Sequence, residues 1–154
     1  MLTKPLFSYA LLLAFTLLVV AGCVAQPVDG QPLSDARGAQ HEFTLRTGMV
    51  DGRMVYVGVG GEIDGQVNPD LTLAAGDTAR IILENGDGMM HDLAIPDPYN
   101  QTATVQTAAT TSKGSTVEAT FTPTAPGEYP YYCTIAGHRQ AGMEGTLIVT
   151  PAQP

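Results

Sequence analysis

The sequence predicts an all-β fold: a Greek-key β-sandwich, formed by a single domain that follows a signal peptide and a flexible tether. From His41 onward, short runs rich in β-branched and aromatic residues are separated by turn signals at the spacing of an all-β domain. Several runs alternate. Arg80, Ile82 and Glu84 interleave with Ala79, Ile81 and Leu83, and Thr116, Glu118 and Thr120 with Val117, Ala119 and Phe121. Beyond the first forty residues, no stretch of ten or more has a strong helical period. Two antiparallel sheets packed face to face are the economical way to bury one side of such strands.

The elements follow in chain order. Lys4 and the apolar run Leu6 to Val20 have the form of a signal peptide over residues 1–22, the run being too short to span a bilayer comfortably. The run ends Val20-Ala21-Gly22-Cys23, which resembles the lipobox of bacterial lipoproteins, so Cys23 is the expected site of lipidation. Residues 23–40, polar and rich in Gly and Pro, read as a tether between lipid and domain. Residues 41–154 form the expected domain. Strands are predicted over Glu42–Thr47, Met54–Val59, Leu71–Leu73, Ala79–Glu84, His91–Ile95, Thr116–Phe121, Gly127–Cys133 and Thr146–Val149. Turn chemistry separates them: Asp51-Gly52, Asp64-Gly65, Asn68-Pro69, Ala75-Gly76-Asp77, Asn85-Gly86-Asp87-Gly88 and Ala125-Pro126-Gly127. The Thr, Ala and Gln-rich stretch Asn100 to Lys113 reads either as a loop with a short helix or as an irregular edge strand.

The 154 residues include seven basic and fifteen acidic ones; loss of Lys4 with the signal peptide leaves six against fifteen, a formal charge of −9. Such a balance disfavours nucleic acid and anionic head groups and favours a partner with a basic docking face. About 130 residues suffice for one domain with a real core. With Cys23 lipidated, Cys133 has no disulfide partner although export implies an oxidising compartment. Metal ligation accounts for a single thiol there.

The run Tyr131-Tyr132-Cys133-Thr134-Ile135-Ala136-Gly137-His138-Arg139-Gln140-Ala141-Gly142-Met143 places thiolate, imidazole and thioether donors on one short loop, and His91 stands at a predicted strand start. Two His, one Cys and a weak axial Met are the donor set of a blue-copper electron-transfer site, whereas structural zinc wants four strong N or S donors. Four residues separate Cys133 from His138 and four separate His138 from Met143, with Gly137 and Gly142 giving the backbone freedom to turn. Singly, each residue has a plainer reading: a Met near a strand end is core, a lone buried Cys is inert packing, and His91 is a surface histidine. The conjunction argues for metal. His41 lies outside both motifs, Met89 and Met90 read as an apolar patch or as extra soft donors, and Tyr129, Tyr131 and Tyr132 read as sheet packing.

The phrases PGEYPYYCTIAGHRQAGMEGTLIV and NGDGMMHDLAIPD resemble the cupredoxin family of small blue copper proteins, over roughly Met54 to Thr150. The resemblance implies a cupredoxin-like copper-binding domain with one type 1 copper ion, His91, Cys133 and His138 as equatorial ligands and Met143 as the axial one. Two departures stand out. Asp92 occupies a place where the family often has Asn to tie the ligand loops together, and Ala136 a place where Pro is frequent, which would loosen the loop.

The functional expectation is an electron carrier, not an enzyme. It would be lipid-anchored outside the cytoplasm, monomeric, with a redox protein as donor and another as acceptor. An extracytoplasmic copper chaperone or storage lipoprotein is the alternative, because Met89-Met90-His91 offers exchangeable donors. A stand-alone copper oxidase needs further copper bound by further His, and the chain has three in all.

Overall fold

Alternating strands with one apolar face close against one another in the computed structural model, which describes residues 39–96 and 104–152. All of these belong to one compact unit, Asp35–Pro154. The expected signal peptide over 1–22, the lipidation site Cys23 and all of the tether but its last two residues lie outside the described residues. Among those described, no helix is long and apolar enough to cross a membrane.

Among the described residues, nine strands form two sheets: β1 His41–Val50, β2 Arg53–Val59, β3 Leu71–Ala74, β4 Ala79–Glu84, β5 Ala94–Pro96, β6 Thr104–Gln106, β7 Thr116–Phe121, β8 Gly127–Tyr132 and β9 Glu144–Thr150. One sheet has the order β2-β1-β4-β7 and the other β3-β9-β8-β5-β6. The chain passes back and forth between them, so that β1 pairs with β4 in parallel, and β3 with β9 in parallel, across long sequence intervals. The remaining ladders are antiparallel. This is the predicted β-sandwich.

The alternation read from the sequence sets the core. Ala79, Ile81 and Leu83 of β4 are fully buried, while their neighbours Arg80, Ile82 and Glu84 are partly exposed. Leu71, Leu73, Leu147 and Val149 meet them from the facing sheet. Tyr56 and Tyr131 lie with ring centroids 5.6 Å apart, and each hydroxyl is satisfied internally, on Asp92 O and Pro69 O. Burial drives both phenols well above their ordinary pKa.

One difference from the sequence reading, and one choice that it left open, bear on the site. The strand predicted from His91 begins only at Ala94; His91 forms an isolated bridge to Thr110. Here the regular ladder gives way to side-chain bonds: Thr107 Oγ1 accepts from Leu93 N, and the Asp92 carboxylate is turned toward Thr134. The stretch that gave no clear period contains β6, an edge strand on β5.

Candidate metal centre

The site forms where the β8–β9 loop meets the segment before β5. Cys133 directly follows β8, and its N–H donates to Met143 O at 3.2 Å, while Met143 N donates to His138 O at 3.1 Å. The loop between is a series of closed turns. His138 N donates to Ile135 O at 3.0 Å, Ala141 N to Gly137 O at 3.0 Å and Gly142 N to Arg139 O at 3.0 Å. Gly137 and Gly142 take φ of 86° and 107°, the left-handed region that a side chain would strain. These bonds restrain the loop in spite of Ala136.

A second set of bonds fixes the two ligand segments to each other. The Asp92 carboxylate accepts from Thr134 N at 2.7 Å, from the Thr134 hydroxyl and from the Gln106 amide at 2.8 Å. Burial pushes the Asp92 carboxyl up, but these hydrogen bonds outweigh it and hold it below the usual carboxylate value. The Tyr56 hydroxyl donates to the carbonyl of the same residue. Asp92 therefore ties the loops by accepting alone.

The donors converge. One ligand atom each from His91, Cys133 and His138 lie within 4.8 Å of one another, and Cys133 Sγ is 3.5 Å from His138 Nδ1. The two imidazoles are tilted by 53° with centroids 4.9 Å apart. Bonds of about 2.0–2.3 Å to a first-row ion put trigonal donors about 3.5–4 Å apart, so the set fits one cation. His91 Nδ1 is buried with no hydrogen-bond partner, an arrangement that costs about 1–3 kcal/mol unless something accepts its lone pair. Met143, fully buried, is bonded through its backbone to both Cys133 and His138.

The electrostatics suit a metal better than a free acid or base. Burial pushes the Cys133 thiol up. Burial first, and then the neighbouring His91, lower the His138 pKa and keep its imidazole neutral, the form that ligates. A cation between them would offset the cost of a buried thiolate.

His41, by contrast, is engaged with Asp77 at 3.0 Å in another part of the fold. Met89 and Met90 are exposed. Tyr129 and Tyr131 are buried in the core cluster, whereas Tyr132 lies under the Arg139 guanidinium, 3.9 Å from ring centroid to Cζ. Sequence reasoning missed Asp87, whose two carboxylate oxygens lie 3.0 and 3.1 Å from His91 Nε2. The available signal was a carboxylate four positions before the histidine in a Gly-flanked turn.

Residues 61–149 match the family described as the Cupredoxin-like domain. The chain belongs to the cupredoxin family. Auracyanin-B of Chloroflexus aurantiacus is 46 % identical over 59 residues, which is 38 % of this chain and 25 % of that protein. Plastocyanin of a Synechococcus species is 35 % identical over 86 residues, 53 % of this chain and 60 % of that protein. The cupredoxin thus spans a quarter and three-fifths of the length of these relatives. Among solved structures, auracyanin B superposes with a TM-score of 0.55 at 23 % identity, covering 73 % of this chain and 91 % of the other. Rusticyanin from Thiobacillus ferrooxidans gives 0.54 at 25 % identity, covering 71 % and 76 %. Fold and donor set agree: this is a cupredoxin with the three strong donors of a type 1 copper site brought together.

Proposed function

We propose that the protein is a membrane-anchored electron-transfer cupredoxin holding one type 1 copper ion on His91, Cys133, His138 and, axially, Met143. The convergence of His91, Cys133 and His138 within 4.8 Å carries this reading. Copper supplies a one-electron couple there, Cu(II)/Cu(I), in a thiolate and imidazole environment that both oxidation states accept.

The chain's own residues keep rearrangement small. Asp92 locks the His91 segment to the Cys133 loop, and the closed turns from Ile135 to Gly142 hold His138 and Met143 in place. His138 is the most exposed of the four, at 8 %, and Ala136 and Gly137 beside it are exposed. Electrons pass by that edge. Met89 and Met90 add apolar surface next to His91, suited to brief, weak docking of a redox donor and then an acceptor. Those partners present a basic face to a domain of net negative charge. Lipidation of Cys23 would hold the domain at a membrane surface outside the cytoplasm, periplasmic or on the outer cell surface.

No catalytic role is assigned. A further oxidase copper needs further imidazoles, and the third of the chain's histidines, His41, is held by Asp77. Copper delivery is the second reading, favoured by the exposure of Met89 and Met90 at 42 % and 49 % and opposed by the 1 % exposure of the Cys133 thiol.

The visible spectrum of the copper-loaded, oxidised protein tests the proposal. An intense thiolate-to-copper band, absent from Cys133→Ser, is expected. A colourless Cu(I) protein that air does not oxidise, and that passes copper to a metal-free acceptor, would replace the carrier by the delivery reading.

A further inference from the structure

The orphaned nitrogen of His91 has a counterpart on the other side of the ring. His91 is fully buried, and both oxygens of Asp87 face its Nε2, at 3.0 and 3.1 Å. An ionised carboxylate only accepts, so Nε2 carries the proton and Nδ1 the lone pair, directed to the side where no protein atom accepts or donates.

Asp87 is itself held in place. Buried Asn85 organises the turn: its Oδ1 accepts from Gly88 N at 2.7 Å and Asp87 N at 3.3 Å, and its Nδ2 donates to Met89 O at 2.7 Å. Met89 N donates to Asp87 Oδ1 at 2.8 Å, and Gly86 N to Thr47 Oγ1 at 3.1 Å, which fastens the turn to β1. The turn thus presents one mostly buried carboxylate to one ring nitrogen.

We propose that Asp87 is a positioning residue for the metal centre: it fixes the His91 tautomer that leaves Nδ1 free to ligate, and its negative charge favours the more highly charged oxidation state of the bound ion. The proposal rests on the copper reading above. Outer-shell carboxylates that accept from a ligating imidazole orient it and raise its donor strength, and their loss lowers metal affinity about 10–100-fold. A charge that stabilises Cu(II) over Cu(I) lowers the reduction potential, a tenfold change in the affinity ratio being about 59 mV for one electron.

Two measurements on the full chain test it. In the metal-free protein, ¹⁵N NMR of the His91 ring is expected to show protonation at Nε2 alone, with the other tautomer populated in Asp87→Ala. A wild-type ring protonated at Nδ1, or an unchanged ring in the variant, would overturn the proposal whatever the metal does. In the copper-loaded protein, Asp87→Asn keeps Oδ1 as acceptor for both Nε2 and Met89 N while it removes the charge and puts an amide NH2 in place of Oδ2. It should retain the thiolate band and the far-ultraviolet circular dichroism of the wild type while its reduction potential rises by about 59 mV, a tenfold shift in the affinity ratio. Asp87→Ala should lose copper to a chelator about 10–100-fold more readily. An unchanged potential in Asp87→Asn overturns the charge role, and that variant decides the matter if Asp87→Ala fails to fold. Absence of the thiolate band from the wild type would instead count against the copper reading and leave the NMR result to judge Asp87.

Discussion

Met143 shows how much rests on single side chains. It is fully buried, and Leu of similar volume fills the same space at a cost under about 1.5 kcal/mol. Met143→Leu is therefore expected to fold and keep its metal while the reduction potential rises, because a weak donor to Cu(II) is gone; potentiometry with copper analysis checks this, and loss of all copper would contradict the axial role. Asp92 behaves differently. Asp92→Ala removes the acceptor of Thr134 N–H and of the Gln106 amide; both residues are exposed, so water takes its place and the loss is about 0.5–1.5 kcal/mol per bond. Denaturant unfolding of the metal-free variant should show it. The convergence of His91, Cys133 and His138 was legible because thiolate, imidazole and thioether at fixed spacing are rare in combination. Asp87 and Asn85 were not, since Asn, Asp and Gly in a turn serve equally well as ordinary turn formers, and only coordinates reveal which way a carboxylate points.

At the level of elements, periodicity predicted the regularly alternating strands well and the irregular ones poorly. The bounds of β4, inside its sheet, and of β7, at the edge of it, coincide with those read from alternation, because both lay one face on the core. β5 was read three residues too early, from His91, and β6 only as one of two readings of its stretch. Around His91 the backbone is bonded to Thr110 and the neighbouring Leu93 N to a side-chain hydroxyl, so the period-two pattern is interrupted where the site is built. β9 is longer than predicted, starting at Glu144, and its Gly145 lies opposite Tyr131. A methyl group at Gly145 would overlap the phenol ring of Tyr131, which is fixed to Pro69 O at 2.7 Å. Gly145→Ala is thus expected to lower stability by about 1–3 kcal/mol and to disturb the strand leaving the site. A melting curve unchanged from wild type would mean that Tyr131 yields freely.

For the molecule as a whole, the two buried tyrosines set an alkaline limit. Burial raises the pKa of Tyr56 and of Tyr131 above the ordinary value of 10.0. Above pH 10 the unfolded chain releases phenolic protons that the folded chain retains, so stability is full below that pH and falls as pH climbs through the interval to the folded values. Urea midpoints at pH 9 and pH 11 should differ accordingly, with a smaller fall in Tyr56→Phe. The sandwich was predictable because short alternating runs admit few architectures, whereas the pairing of Leu71 with Leu147 has no local signature. The pairing that closes the pocket is that of β5 with β8, which sets Cys133 beside the His91 segment. On a chain still being synthesised, His91 emerges well ahead of Cys133 and His138, and the donors meet only once β8 has reached β5. A bound ion would therefore tie together segments far apart in the chain, and its removal would be felt as a loss of folding stability.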